Sequence, residues 1–444
     1  SCMRKKCILA LMLAAMLVLS GCALVTVDEA ADNARVILDV DGETVNKAVF
    51  HNMVEYQLYQ NQQMNSYYQM LGLTGSFSTD ENTVAQEVLA SYTNSLVAKH
   101  KAAELGFDQM TEEENQEIQE TAEKNYEELL TEIKDHYLAD SASLDEAELR
   151  QKAMEYANEN GMSTLENYLD SAKIEKSVEK LRADTVKDVT YTQEELQAKL
   201  DEEAAANKTT FESNPDYYGY YLNNGTPVYY NAPGYRMVKQ VLVKFNEEDN
   251  TALTEKNTEL SQAKTALNDA QSALTEAAED ADKTALQAAV DEAQAKLDEV
   301  QAAYDALKET AYANIQAKAD EIYQKAIAEG ADFDALVAEF NEDTGMPAAG
   351  YAVREGYSFF VASFVDAAMA LEKVGDVSEP VKSDYGFHII QYSADITEGT
   401  VALETVSDTL GAELLSEKQD QAYADALAAW VSEAKVESHL EKLH

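Results

Sequence analysis

Apolar residues recur at helical spacing through most of the first half of the chain, from Phe50 to Leu71, Val84 to Leu105, Ile118 to Ile133 and Leu165 to Leu181. Steps of three and four residues put such positions on one face of a helix, so four helices are predicted. Thr111 followed by Glu114, and Thr192 followed by Glu195, are capping-box pairs that would open two helices. Ahead of this region, residues 36–45 (VILDVDGETV) alternate apolar and polar and reach Asp41-Gly42, which predicts a strand and a turn. A different period governs residues 251–328. Leu253, Leu260, Leu267 and Leu274 are seven apart, with Ala263, Ala270 and Ala277 three positions after the last three. Beyond an acidic turn at 279–282, Leu286, Val290, Ala293, Leu297, Val300, Tyr304, Leu307 and Ala311 continue in steps of four and three. These are two a/d seams, and a short polar turn between them predicts an antiparallel helical hairpin.

The remaining stretches alternate between strand and helix signals. Met237 to Val243 alternates as a strand does, Ile315 to Gly330 reads as a helix, and Ala331 to Leu336 follows. Asn341-Glu342-Asp343, a turn at Gly350, Phe360 and Phe364 four apart, and a helix end at Gly375 come next. The stretch Ser378 to Gln391 (SEPVKSDYGFHIIQ) is a turn leading into a buried strand, with Gly386 allowing close backbone approach. His388 sits inside that strand between Phe387 and Ile389, and a buried polar group left unpaired costs ~1–3 kcal/mol. It is either a satisfied core histidine or a functional one. Tyr217, Tyr218, Tyr220, Tyr221, Tyr229 and Tyr230 flank Asn224-Gly225, which predicts a small hairpin or ordered loop. That segment is either a stacking surface for extended peptide or a local core.

Composition narrows the classes. Arg4, Lys5 and Lys6 precede an apolar run from Cys7 to Leu19, a secretory signal over residues 1–21 that is too short to be a stable membrane span. Residues 22–35 read as a polar tether. Cys2, Cys7 and Cys22 are the only cysteines, and loss of the signal would leave Cys22 alone, so a disulfide framework and Cys/His metal sites are both excluded from the mature chain. The fold must rest on its apolar core, and 444 residues can build one over two domains. The formal net charge of −48 makes nucleic acid and anionic lipid surfaces poor partners, since both require clustered Lys and Arg. The acidity either favours cationic unfolded clients or is simply a solvated surface.

Leu19-Ser20-Gly21-Cys22 resembles a bacterial lipobox, which implies cleavage before Cys22 and a diacylglycerol on its sulfur. The later landmarks "ADFDALVAEFNED", "FFVASFVDAAMAL…VGDVSEPV" and "YGFHII", in the order strand, helix, short helices, strand, resemble the parvulin family of peptidyl-prolyl isomerases. With the lipobox, the helical N-terminal region and a final helix, the layout resembles PrsA-type extracytoplasmic foldase lipoproteins, relatives of the SurA chaperones. The implied fold is α+β. A helical SurA/PrsA-like chaperone domain would be built from residues 36–234 and 394–444, and a parvulin-like α/β domain would span 235–393. An antiparallel coiled-coil hairpin would interrupt the latter at 251–310. The segment Ala434 to Ser438 would return to the strand at 36–40.

The resemblance also implies roles. Phe360 and Phe364 would line a proline pocket, His388 would belong to a hydrogen-bond network beneath the peptide, and Asp343 would face the twisting amide. Gln240 stands where many parvulins place a histidine that pairs with the second one across the sheet. Glutamine both donates and accepts, so a network can persist in altered form, but without that histidine's proton chemistry. The glycine run common in the family is reduced to Ala348-Ala349-Gly350-Tyr351-Ala352. These departures imply weak isomerase activity or none, with client binding retained. No cofactor or metal is implied. The expected partners are unfolded or partly folded secreted proteins and the membrane through the N-terminal lipid, with a homodimer left open. The implied location is the extracytoplasmic face of the cell membrane. The resulting expectation is a membrane-anchored foldase with prolyl isomerase activity. Its alternatives are a holdase on a degenerate parvulin scaffold and a structural lipoprotein whose coiled-coil arm docks to the envelope.

Overall fold

In the computed structural model, which describes residues 29–141 and 143–443, the alternating stretch after residue 35 forms strands Val36–Val40 and Glu43–Asn46. The signal segment, Cys22 and the tether up to residue 28 lie outside the described residues. Asp41 and Gly42 between the strands both have positive φ, the backbone that a tight hairpin requires. Strand Val436–Ser438, four hundred positions later in the chain, pairs antiparallel on the free side of Val36–Val40, with Leu38 opposite Ser438 and Val40 opposite Val436. Helices Lys47–Met70, Glu81–Glu104, Glu112–Tyr137 and Leu165–Val186 occupy the four predicted stretches. A fifth, Glu146–Glu159, fully buries only the small Ala153 and Ala157, with Met154 and Tyr156 half-buried against the same core. The capping boxes at Thr111/Glu114 and Thr192/Glu195 are both formed, each satisfying two helix-end N–H groups. Ile37, Leu38, Val40, Phe50 and Val54 are fully buried in this part of the molecule, with Trp430 packed against them from the C-terminal helix Leu403–Glu433.

The chain divides into two compact units, residues up to Tyr191 with Ala412 onward, and Thr192–Gly411. Among the described residues, no helix is long and apolar enough to cross a membrane. The second unit is built on a four-stranded antiparallel sheet in the order Tyr351–Val353, Arg236–Lys244, Gly386–Asp395, Val381–Ser383. The fold class is therefore α+β, helical elements around small sheets. Strand parity assigns its faces. Val241, Val243, Phe387 and Ile389 point to one side and pack on Ile315, Ala319 and Ile322 of a long helix. Val238 and Ile390 point to the other side, against Phe364 and Val365 of helix Ala362–Ala370.

Gly386 starts the histidine strand at φ 137, and a Cβ there would lie 2.0 Å from the Val243 carbonyl oxygen. Gly386→Ala is therefore expected to destabilise this unit by at least ~2 kcal/mol, read as a lower urea midpoint.

The heptad region forms helices Glu247–Glu276 and Thr284–Ile327. The second is one continuous helix of 44 residues, so the helix read separately from Ile315 onward is its base. Leu253, Leu260, Ala263 and Val300 bury the seam near that base. The tyrosine-rich segment departs from the expected hairpin or loop. It is helical at Asp216–Asn223, and Asn224-Gly225 is that helix's C-terminal stop rather than a hairpin turn. Pro215, at φ −58, is preset for a helix start, and packing of Tyr218 and Gly219 into the core overrides the strand preference of tyrosine. The only strand here is Tyr230–Asn231, paired with Gly399–Thr400.

Candidate active site

Two strands and one turn bring the polar residues together. Across the central pair, Leu242 lies opposite His388 and Gln240 opposite Ile390, so Gln240 and His388 share a face as diagonal neighbours. Both are buried, at 4% exposure. After helix Phe333–Phe340 the chain turns at Asn341, whose side chain accepts from the N–H of Leu242 (2.9 Å) and of Asp343 (3.0 Å). This double bond fastens the Asn341-Glu342-Asp343 turn to the edge of the central strand and aims Asp343 at Gln240.

The resulting network has a single direction. Asp343 Oδ2 accepts from Gln240 Nε2 (2.8 Å) and from the Tyr351 hydroxyl (2.7 Å), while Oδ1 accepts from the N–H of Gly345 (3.1 Å). With its amide nitrogen committed to Asp343, Gln240 turns its Oε1 to His388 Nδ1, 2.6 Å away. That assigns the imidazole proton to Nδ1. His388 Nε2 then accepts from the Ser383 hydroxyl (2.5 Å), whose oxygen accepts from the N–H of Tyr385 (3.1 Å). Every donor in the chain from Tyr385 through Ser383, His388 and Gln240 points toward the Asp343 carboxylate. Burial pushes the His388 pKa down to about 4, against a smaller upward pull from Asp343, so the ring is neutral at pH 7. Burial, joined by the hydrogen bond to Asp343, pushes the Tyr351 hydroxyl well above its usual range and keeps it a donor.

An aromatic wall faces this network. Phe360 meets Tyr351 edge-on (centroids 4.8 Å) and Phe364 at 5.9 Å, and Phe364 meets the His388 ring at 5.3 Å. The cleft between wall and network has a volume of about 370 Å³, lined by Gln240, Leu242, Asp343, Tyr351, Phe360 and His388 among others.

The structure thus brings Gln240, Asp343, His388, Phe360 and Phe364 to one cleft, while Cys22 lies outside the described residues. Three contributors escaped the sequence reading. Ser383 reads as turn chemistry, Tyr351 as the remnant of a glycine run, and Tyr385 carries no role of its own, yet Tyr351 and Tyr385 line the cleft and Ser383 holds His388. In the other unit, His51, Glu55 and Glu81 bring three potential ligand atoms within 4.8 Å of one another on exposed or half-buried side chains. Exposed carboxylates gather in this way without an ion, and no role is built on them.

Residues 300–394 match the PPIC-type PPIase domain of the rotamases. The match begins within the second helix of the arm and ends in the histidine strand. The central strand with Gln240 lies upstream, separated from the match by the inserted arm, and the fold restores it to the sheet. Among curated proteins, the foldase protein PrsA of Caldanaerobacter subterraneus subsp. tengcongensis is 32% identical over 126 residues, 28% of this chain and 40% of the relative. Foldase protein PrsA 4 of Bacillus cereus is 46% identical over 74 residues, 16% of this chain and 26% of the relative. The chain thus spans less than half the length of these relatives. Among solved structures, PrsA from Bacillus subtilis aligns over 90% of this chain and 91% of its own, at 16% identity and a TM-score of 0.20. PrsA from Streptococcus pneumoniae aligns over 90% and 92%, at 14% identity and a TM-score of 0.19. Residues 300–394 thus carry a PPIC-type, or parvulin, peptidyl-prolyl isomerase domain, and over part of its length the chain is similar to the PrsA foldases.

Proposed function

We propose that the protein is an extracytoplasmic foldase that isomerises prolyl bonds in unfolded or partly folded secreted proteins, held at the membrane by a lipid on Cys22. The observation that carries the catalytic part is the facing of the Phe360/Phe364/Tyr351 wall and the Gln240–Asp343–His388 network across one cleft. The chemistry asks for little else. An X–Pro bond resists rotation by ~18–20 kcal/mol because its C–N bond has partial double-bond character. The planar amide separates charge, positive at nitrogen and negative at oxygen, and the twisted form does not. An apolar slot around the proline ring withdraws the solvation that favours the planar form, and a fixed anion at Asp343 beside the amide penalises its carbonyl charge further. Neutral His388 and Gln240 would hold that anion in place without moving a proton. In this reading, Phe360 and Phe364 bind the proline, Asp343 faces the amide, and Gln240 and His388 position it.

The test is catalysed cis/trans exchange of short Ala-Pro and Gln-Pro peptides by the whole chain and by a Phe364→Ala/His388→Ala variant. The expected result is exchange by the intact chain, reduced at least ~100-fold in the variant, which is ~2.7 kcal/mol of barrier. A second reading, a holdase on an altered parvulin scaffold, is favoured by Gln240 in the place of a histidine. No exchange by the intact chain, with aggregation of an unfolded client still suppressed, would replace the isomerase reading with this one.

A further inference from the structure

Helix Asp216–Asn223 precedes the central strand and lies outside residues 300–394, yet it belongs to the same compact unit as the cleft. Asp216, Gly219 and Asn223 are three and seven positions apart, hence on one face. All three meet the elements that present the aromatic wall.

Asp216 is 7% exposed and accepts three hydrogen bonds, from Arg354 Nε (2.6 Å), from the N–H of Ser358 (3.1 Å) and from its hydroxyl (2.5 Å). Burial alone would raise its pKa, but the bonds from Ser358 and Arg354 outweigh it and hold the carboxyl below its usual range. Arg354 and Ser358 bracket the turn that leads into Phe359, Phe360 and Val361, all lining the cleft. Two turns along the helix, Asn223 accepts from the N–H of Ala352 (2.7 Å) and donates to its carbonyl (3.0 Å). Strand Tyr351–Val353 is the edge of the sheet, so this amide completes the one rung that no strand supplies. The same strand delivers Tyr351 to Asp343. Between the two polar residues, a Cβ at Gly219 would lie 2.8 Å from the rings of both Tyr235 and Tyr357, so only glycine lets the helix approach this closely. Tyr357 in turn meets Phe360 edge-on at 5.1 Å.

A loop held in this way is not held by its own ladder. Glu355, Gly356, Ser358 and Phe359 are exposed, and the backbone bond within the turn runs from Tyr357 N–H to the Arg354 carbonyl. We propose that Asp216 is a positioning residue for the cleft, fixing the Arg354–Val361 loop that presents Phe359 and Phe360, so that the working isomerase unit includes the helix Asp216–Asn223. Its activity arm rests on the isomerase reading; its structural arm does not.

The test uses the full chain carrying Asp216→Asn, which keeps the shape but turns an N–H₂ toward a donor, and Ser358→Ala, which removes one partner on the exposed side. Two quantities are measured: amide hydrogen exchange along the chain, and kcat and KM for an Ala-Pro peptide. Exchange at residues 355–361 is expected to quicken at least ~10-fold in Asp216→Asn and less in Ser358→Ala, with strands Arg236–Lys244 and Gly386–Asp395 unchanged. kcat/KM is expected to fall ~10-fold, mostly through KM, because the wall binds rather than reacts. Unchanged loop exchange in both variants would overturn the proposal. Loop exchange that rises together with that of the two strands would also overturn it, by making Asp216 a residue of global stability. So would a freed loop with undiminished kcat/KM. If Asp216→Asn fails to fold, Ser358→Ala alone decides by the same readings. If the intact chain isomerises nothing, the functional reading fails by itself, and the clamp is judged by loop exchange and by a ~10-fold loss of affinity for the same peptide.

Discussion

Asp343→Ala is expected to lower isomerase kcat/KM at least ~100-fold, the largest effect of any single truncation in the cleft. The carboxylate accepts from Gln240, Tyr351 and the Gly345 N–H at once, and only an ionised carboxylate offers acceptors in all these directions. Its removal leaves the Gln240 amide, which is 4% exposed, with a buried N–H₂ and no acceptor, at ~1–3 kcal/mol. Gln240 then gains nothing by keeping its present orientation, and a flipped amide would present a donor to the proton on His388 Nδ1. The ring answers by moving its proton to Nε2, where Ser383 must become the acceptor. Loss of one anion thus reverses hydrogen bonds as far away as Ser383. Asp343→Asn is not a silent control, since its own N–H₂ would face either Gln240 and Tyr351 or Gly345. Two measurements check this: peptide exchange for activity, and the ¹⁵N shifts of the His388 ring for the tautomer. Undiminished activity with a reversed tautomer would dismiss the directional network as a functional feature.

That network also marks the limit of what the sequence discloses. The apolar strand around His388, the Phe360/Phe364 pair four apart, and Asp343 after a short helix are local patterns, and each is legible without tertiary information. The antiparallel arm was legible for the same reason, because a heptad seam specifies its own partner. Tyr351 and Ser383 were not. Their hydrogen-bond partners are 8 and 5 residues away, yet the geometry depends on the register of four strands, which no local pattern encodes. Helix Asp216–Asn223 reads as a hairpin or loop because tyrosines flank Asn224-Gly225, while contacts that hold the helix lie more than a hundred positions away, at Ala352 and Tyr357. Gln240 reads from the sequence as an altered partner that both donates and accepts, without a histidine's proton chemistry. In the fold it relays the network, accepting from His388 Nδ1 and donating to Asp343 Oδ2, a donor-and-acceptor role that a singly protonated imidazole could also fill.

Neutral His388 makes the stability of the second unit depend on pH in a predictable window. Its folded pKa of about 4 lies below the ordinary value of 6.5, mainly through burial. Between those values the unfolded chain binds a proton that the folded chain refuses, so stability rises with pH there. The contribution is fully present above pH 6.5, falls as pH drops toward 4, and levels off below that. The 2.5 units between the two values amount to ~3 kcal/mol, enough to move a midpoint by several degrees in a unit of this size. The raw curve for this chain is a mixture, because 82 acidic residues begin to take up protons in the same range and relieve a net charge of −48. A His388→Asn variant keeps a donor near the Nδ1 position for Gln240 and cannot titrate, so the carboxylates cancel in the difference between the two proteins. Wild type is expected to lose ~3 kcal/mol more than His388→Asn between pH 7 and pH 4, measured by urea unfolding followed at the second unit. Parallel curves would mean that the ring accepts its proton in the folded state, which in turn would require Ser383 to turn its oxygen toward Nε2 and would dissolve the one-way order of the network.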